Sequence, residues 1–178
     1  MTSDRDIVKL FSTDQHRALK ALHDKYADAC YCVALRYLKE KFDAEEAVAD
    51  AFINAYMHLP KFEFRNDGSL YPWLKKITVN QCLMRLRKKN IQFLEFDPTF
   101  VEVADVDILQ SLAYEDLLNL LSLVPHHYSL VFQLYEIEGY NHSEIAEILG
   151  ISSGSSKAYL HHAKNQMKKI LAENYNLK

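Results

Sequence analysis

Asn141-His-Ser-Glu144-Ile-Ala-Glu-Ile-Leu-Gly150-Ile-Ser-Ser-Gly-Ser-Ser-Lys157-Ala-Tyr-Leu-His-His-Ala-Lys164 reads as two helices joined by a tight turn. Asn141 and Glu144 have the spacing of a capping box, in which each side chain bonds the other residue's backbone N–H, so the first helix has a defined start. Ile145, Ile148 and Leu149 share one face, and small Ala146 permits a close partner. Gly150 stands where a left-handed residue ends the helix. Ser152 can cap the second helix, whose inner face repeats as Leu160, Ala163, Met167, Ile170 and Leu171. Lys157, Ala158, His161 and His162 are expected on its outer face. Caps, turn and core stripe agree on a helix-turn-helix, a motif that sets its second helix in a DNA groove.

The rest of the chain is of the same class. Of its 178 residues 49% are hydrophobic, enough for one large domain or two small ones, and only four glycines and four prolines speak against an all-β or disordered protein. Cys30, Cys32 and Cys82 are odd in number and have no metal-ligand spacing, which suits small buried side chains in a reducing compartment. No apolar run reaches membrane-spanning length and the first residues have no signal-peptide core, so a soluble cytoplasmic protein without membrane insertion is expected.

Net charge is only −3, but its distribution is uneven. Lys75, Lys76, Arg85, Arg87, Lys88 and Lys89 form a basic run with no acidic residue, and from Lys157 to Lys178 five lysines face one Glu173. Glu95, Asp97, Glu102, Asp105, Asp107, Glu115 and Asp116 lie between, with no Lys or Arg from Ile91 to Asp116. Two cationic surfaces separated by an acidic connector suit two contacts with phosphate.

Hydrophobic periodicity predicts helices nearly throughout, an all-α protein of two small domains. Leu19, Leu22, Tyr26, Ala29, Cys30, Val33 and Tyr37 make one stripe. Asp43 and Glu46 have capping-box spacing ahead of Val48, Ala51, Phe52, Ala55, Tyr56 and Leu59, and Pro60 marks the end. Asn66-Asp67-Gly68-Ser69 is a turn, followed by a helix from about Tyr71 to Arg87 with Trp73, Leu74, Ile77 and Met84 inward. These set an N-terminal helical domain at 15–90, an extended acidic linker at 91–106 and a C-terminal domain at 107–174. In the last, Leu117, Leu120, Leu121 and Val124 precede a helix that Pro125 starts and that ends near Gly139.

In this order the segments resemble the RNA polymerase sigma-70 family, in particular its small two-domain extracytoplasmic-function (ECF) group. Region 2 of that family is matched by Tyr26-Ala-Asp, Ala34-Leu-Arg-Tyr-Leu38, Ala44-Glu-Glu-Ala-Val48, Asp50-Ala-Phe-Ile-Asn-Ala-Tyr56, Tyr71-Pro-Trp-Leu-Lys-Lys-Ile77 and Asn80-Gln-Cys-Leu-Met-Arg-Leu-Arg87. Region 4 is matched by Leu123-Val-Pro125, Glu138-Gly-Tyr140 and Glu144-Ile-Ala-Glu-Ile-Leu-Gly-Ile151.

The resemblance implies partners and roles. The helix after Asp43 would dock on the clamp of core RNA polymerase through Glu46, Asp50, Asn54 and the ring of Phe52 or Tyr56, although both rings also fit the core stripe. The turn and the helix after it would melt and read the promoter −10 element. Asn66, Asp67, Ser69 and Tyr71 would line a pocket for a flipped base, and Lys75, Lys76, Arg85, Arg87 and Lys88 would hold strand phosphates. Trp73 suits either a stacking platform or the core. The last helix would read the −35 duplex through Ser153, Ser155, Lys157, Ala158, Tyr159, His161, His162 and Lys164. Ser156 occupies a position where Val is usual, and Tyr159 and His162 replace common arginines, which implies a less G-rich −35 preference or weaker duplex affinity. An anti-sigma protein is a further expected partner. The acidic linker would follow basic polymerase surfaces and, in the free protein, could cover the cationic patches.

Enzyme readings find no support in the sequence. His126-His127 and His161-His162 are adjacent and diverge on a helix, and no carboxylate or Cys completes a site with His16 and His23, so no metal or cofactor is expected. No phosphate-cradling glycine loop or nucleophile elbow occurs. Two other classes compete with the sigma reading: an autonomous helix-turn-helix transcriptional regulator, and an all-α interaction protein. A basic helix beside a melting turn favours the sigma reading, because a duplex binder has no use for a strand-separating surface.

Overall fold

Short local caps set the helix boundaries. In a computed structural model, which describes residues 2–88 and 114–175, Ser3 accepts a hydrogen bond from Asp6 N and starts α1 (Asp4–Thr13). Asp14 then serves two helices: its N–H reaches Leu10 O at 2.7 Å to close α1, while its carboxylate accepts from Arg17 N to open α2 (Gln15–Leu38). Lys39 ends α2 in the left-handed region, at φ 64°. Next, α3 spans Lys41–His58, continues into a 3-10 turn at Leu59–Lys61, and is followed after a loop by α4 (Leu70–Lys88). The chain divides into two units, Met1–Ile91 and Gln92–Lys178.

Ala44, Ala47, Ala51 and Ala55 of α3 are all fully buried in the N-terminal unit. These small side chains let α2 and α4 pack closely on α3. Leu22, Cys30, Val33, Ala34 and Tyr37 fill the core from α2, and Leu70, Leu74, Val79, Cys82, Leu83 and Leu86 fill it from α4. Ile7 and Phe11 add α1, which lies ahead of the expected start at residue 15.

Several expectations are corrected here. Helix α3 begins at Lys41 after Glu40, which makes no side-chain cap, so Asp43 sits in the first turn and forms no capping box. Met84 faces solvent and Cys32 is exposed. The linker expected at 91–106 lies outside the described residues.

In the C-terminal unit, α5 (Tyr114–Ser122) buries Leu120 and Leu121, and α6 (His126–Phe132) follows Pro125. A π-helical turn, Gln133–Ile137, continues α6, with Glu138 N bonded to Gln133 O. Helix α7 (His142–Leu149) and α8 (Ser153–Tyr175) complete the unit. Among the described residues there is no strand, and no helix is long and apolar enough to cross a membrane.

Candidate nucleic-acid interface

Helix α7 starts on the expected capping box. Asn141 Oδ1 accepts from Ser143 N and Glu144 N, while Asn141 N donates to Glu144 Oε2 at 2.7 Å. Gly150 has φ +68°, a backbone conformation that glycine adopts without strain, so the chain reverses within a few residues. Ser152 Oγ then accepts from Ser155 N at 2.9 Å and starts α8.

The outer face of α8 is narrower than periodicity suggests. Lys157 is exposed, and Ser153, His161 and Lys164 are half-buried. Asn165 Nδ2 donates to His161 Nε2 at 2.6 Å, and Lys164 pairs with Glu136 at 2.8 Å. Ala158 and Tyr159 do not belong to this face. Both are buried, Tyr159 completely, because α6 and α7 pack on the first half of α8 from two sides. Tyr159 meets the rings of His127 and Tyr128, and His162 stacks on Tyr128 at 5.3 Å. Ser155 is buried too, its hydroxyl 2.8 Å from Ser152 Oγ. The unusual Ser156 has a local reason: it is fully buried and hydrogen-bonded at 3.0 Å to His142 Nδ1, which ties α7 to α8.

The N-terminal unit presents the second candidate surface. Gly68, at φ +97°, forms the turn before α4, and Ser69 donates to Asn66 O through both its N–H and its hydroxyl. Asn66 and Asp67 are exposed, and Ser69 and Tyr71 are half-buried. Lys76, Asn80, Met84, Arg87 and Lys88 share the exposed face of α4. Lys75 is half-buried. Trp73 is half-buried too, tilted against Phe62 at 4.9 Å, so it is neither a core residue nor a bare platform.

Side chains from α1, which the sequence reading passed over, hold this turn. Asp4, at 0% exposure, accepts from Lys25 Nζ at 2.7 Å, Tyr26 hydroxyl at 2.6 Å, Gly68 N at 2.8 Å and Leu70 N at 3.1 Å. Burial pushes the Asp4 carboxyl up, but hydrogen bonds from Lys25, Tyr26, Leu70 and Gly68 outweigh it and hold the group below its ordinary range. Only the Ser3 cap on α1 hints at this in the sequence, and nothing local points from Asp4 to residues 68–70.

The acidic face of α3 is engaged with α4. Arg85 donates to Glu46 Oε2 and Asp50 Oδ2, each at 2.6 Å, so the expected phosphate ligand and two expected polymerase contacts form one cluster. Phe52 is buried against His23. Asn54 Nδ2 donates to Asp50 O, and the Tyr56 hydroxyl donates to Gln15 Oε1. The large apolar side chains that α3 does expose are elsewhere. Phe42, Ile53 and Met57, each more than 60% accessible, line its outer face, whereas Phe52 keeps its place in the inner stripe.

Comparison with known proteins agrees with this two-part layout. The family model described as Sigma-70 region 2 matches residues 22–91, and the one described as Sigma-70, region 4 matches residues 114–167. The ECF RNA polymerase sigma factor SigW of Bacillus subtilis is 28% identical over 180 residues, covering 93% of this chain and 95% of SigW. The ECF RNA polymerase sigma factor SigE of Mycolicibacterium smegmatis is 26% identical over 156 residues, covering 84% of this chain and 60% of that relative's length. The solved structure of CnrH, in complex with the cytosolic domain of CnrY, has the same fold at a TM-score of 0.50 and 19% identity, covering 96% of this chain and 97% of that one. With both regions matched in order, the chain belongs to the sigma-70 family, in its ECF group.

Proposed function

We propose that this protein is a sigma factor that binds core RNA polymerase and directs promoter-specific initiation, α4 and its preceding turn capturing the unpaired −10 strand while α8 reads the −35 duplex. The observation that carries the reading is a pair of surfaces with different capacities. One is a capped helix-turn-helix with Lys157 exposed at the start of α8, suited to a duplex groove. The other is an exposed turn followed by the Lys76, Arg87 and Lys88 face, suited to an unpaired strand.

Docking on polymerase is assigned to the outer face of α3. Phe42, Ile53 and Met57 would supply apolar anchors, with Glu46 beside them for basic groups on the polymerase. An anti-sigma protein that covered this strip would block docking. The protein acts in the cytoplasm and is itself no enzyme, since nucleotide chemistry belongs to the polymerase.

In vitro transcription on a promoter library, with and without the protein added to core polymerase, tests the reading. New start sites sharing −10 and −35 elements are expected. Failure to co-migrate with core enzyme, together with no new start sites, would overturn it.

A further inference from the structure

The first turn of α1 reaches three positions in the loop ahead of α4 and the first residue of α4 itself. Asp4 Oδ2 accepts from the backbone N–H groups of Gly68 and Leu70, Arg5 N donates to Asp67 Oδ1 at 3.1 Å, and the Arg5 guanidinium lies 5.7 Å from the centre of the Phe64 ring. The other oxygen of Asp4 is held by Lys25 and Tyr26 of α2, and Tyr26 stacks on Tyr71 at 5.6 Å. One buried carboxylate therefore joins α1, α2 and the entry to α4.

Burying a carboxylate is a poor way to gain stability alone, because desolvation cancels much of what its partners return. It does provide an acceptor that no apolar side chain can replace. Gly68 N and Leu70 N both face inward, and a charged oxygen between them fixes the turn that carries Asn66, Asp67 and Ser69. Such a site must be shaped before a base enters it, since ordering a loop on binding subtracts from affinity.

We propose that Asp4 is a positioning residue for strand capture, its carboxylate on α1 holding the 66–70 turn in the shape that receives an unpaired promoter base. This rests on the reading of that turn as the −10 element's receptor.

The test uses the full chain assembled with core RNA polymerase, and a labelled single strand carrying the non-template −10 sequence of a promoter mapped with the wild-type protein. Asp4→Asn should weaken strand binding about tenfold and Tyr26→Phe about threefold, the usual range for hydrogen bonds to a charged group and for a single partner of one. Affinity for core polymerase should stay within about twofold of wild type in both, since the hydrogen-bond partners of Asp4 lie on α2, the turn and the start of α4 and none lies on α3. Amide exchange at Gly68 and Leu70 should quicken in Asp4→Asn. Undiminished strand binding by Asp4→Asn despite faster exchange would overturn the proposal, and so would a parallel loss of core binding, which would mark a general structural role. Asn66→Ala separates the two layers. If it leaves strand binding unchanged, the turn is not the receptor and the inference falls with that reading. If it weakens binding while Asp4→Asn does not, only the positioning role fails.

Discussion

Arg85 Nη2 lies 2.6 Å from Asp50 Oδ2, and Nη1 lies 2.6 Å from Glu46 Oε2, so one guanidinium bridges α3 and α4 through both carboxylates. Nearby negative charge and charge-assisted hydrogen bonds favour the cation, and the Arg85 guanidinium, although burial acts against it, stays charged beyond its usual range. Both acids remain nearly half exposed, which limits the gain. Arg85→Ala is expected to lower stability by about 1 kcal/mol in chemical denaturation. Arg85→Lys should recover little, because an ammonium cannot make the two-pronged contact.

The same geometry divides the basic residues of α4 by role. Lys76 and Arg87 lie on the exposed face, whereas Arg85 is turned toward carboxylates. Lys76→Ala and Arg87→Ala in the assembled polymerase should each lower the slope of log affinity against log salt for the single strand by about 0.7. Arg85→Ala should leave that slope near wild type. A larger drop for Arg85 than for Lys76 would show that the cluster opens on binding.

In α8 two neighbouring positions should give different phenotypes. Lys157 is exposed on the outer face, and Lys157→Ala is expected to weaken −35 duplex binding with the fold intact and to reduce the salt slope by about 1. Tyr159 is fully buried, and Tyr159→Ala should cost about 3–5 kcal/mol of stability. Thermal melts beside duplex titrations of the two variants would separate the roles.

What the sequence disclosed follows the range of its cues. Asn141–Glu144, Gly150 and Ser152 act within a few residues of themselves, so the turn between α7 and α8 was legible. Helical period finds one inner face, and it failed where a helix is packed on two. That is why Ala158 is expected on the outer face of α8 yet lies buried, whereas on α3 the same period sets Ala51, Phe52 and Ala55 inward, where the structure has them. Contacts such as Asp4 to Leu70 or Arg85 to Glu46 join residues dozens of positions apart and leave no periodic trace. Ser156 appeared as a departure from family pattern, while its reason lay fourteen residues earlier, in His142.

Acid should weaken the C-terminal unit before the N-terminal one. Burial, and then the nearby charge of His162, lowers the His127 imidazole below its ordinary value of 6.5. Burial and then Lys157 do the same for His142, with Glu136 opposing. The unfolded chain thus binds more protons than the folded one below about pH 6.5, so this contribution is full above that value and is lost as pH falls toward the folded values. The depressed carboxyl of Asp4 acts with the same sign, but its window opens only below about pH 4. Trp73 is the one tryptophan and lies in the N-terminal unit, so its fluorescence reports that unit while far-ultraviolet circular dichroism reports both. Between pH 7 and 5 the dichroism melt should move to lower temperature ahead of the fluorescence melt, as these titrations require. Coincident, unmoving curves would contradict the assignment.

His142 and Ser156 should also behave as a coupled pair. The Ser156 hydroxyl is fully buried and His142 Nδ1 is its partner across α7 and α8, with Tyr135 stacked on the imidazole at 4.5 Å. Ser156→Val alone leaves that nitrogen facing a methyl group and is expected to cost about 1–3 kcal/mol. His142→Leu alone strands the hydroxyl and should cost a similar amount. The double variant replaces both polar partners with apolar ones, which brings the loss back toward zero, since two matched apolar groups need no hydrogen bond. A coupling energy of about 1 kcal/mol or more from the four melting curves would establish that the serine is retained for its histidine. Additive losses would show instead that each side chain is accommodated independently and that the 3.0 Å contact contributes little to holding α7 on α8.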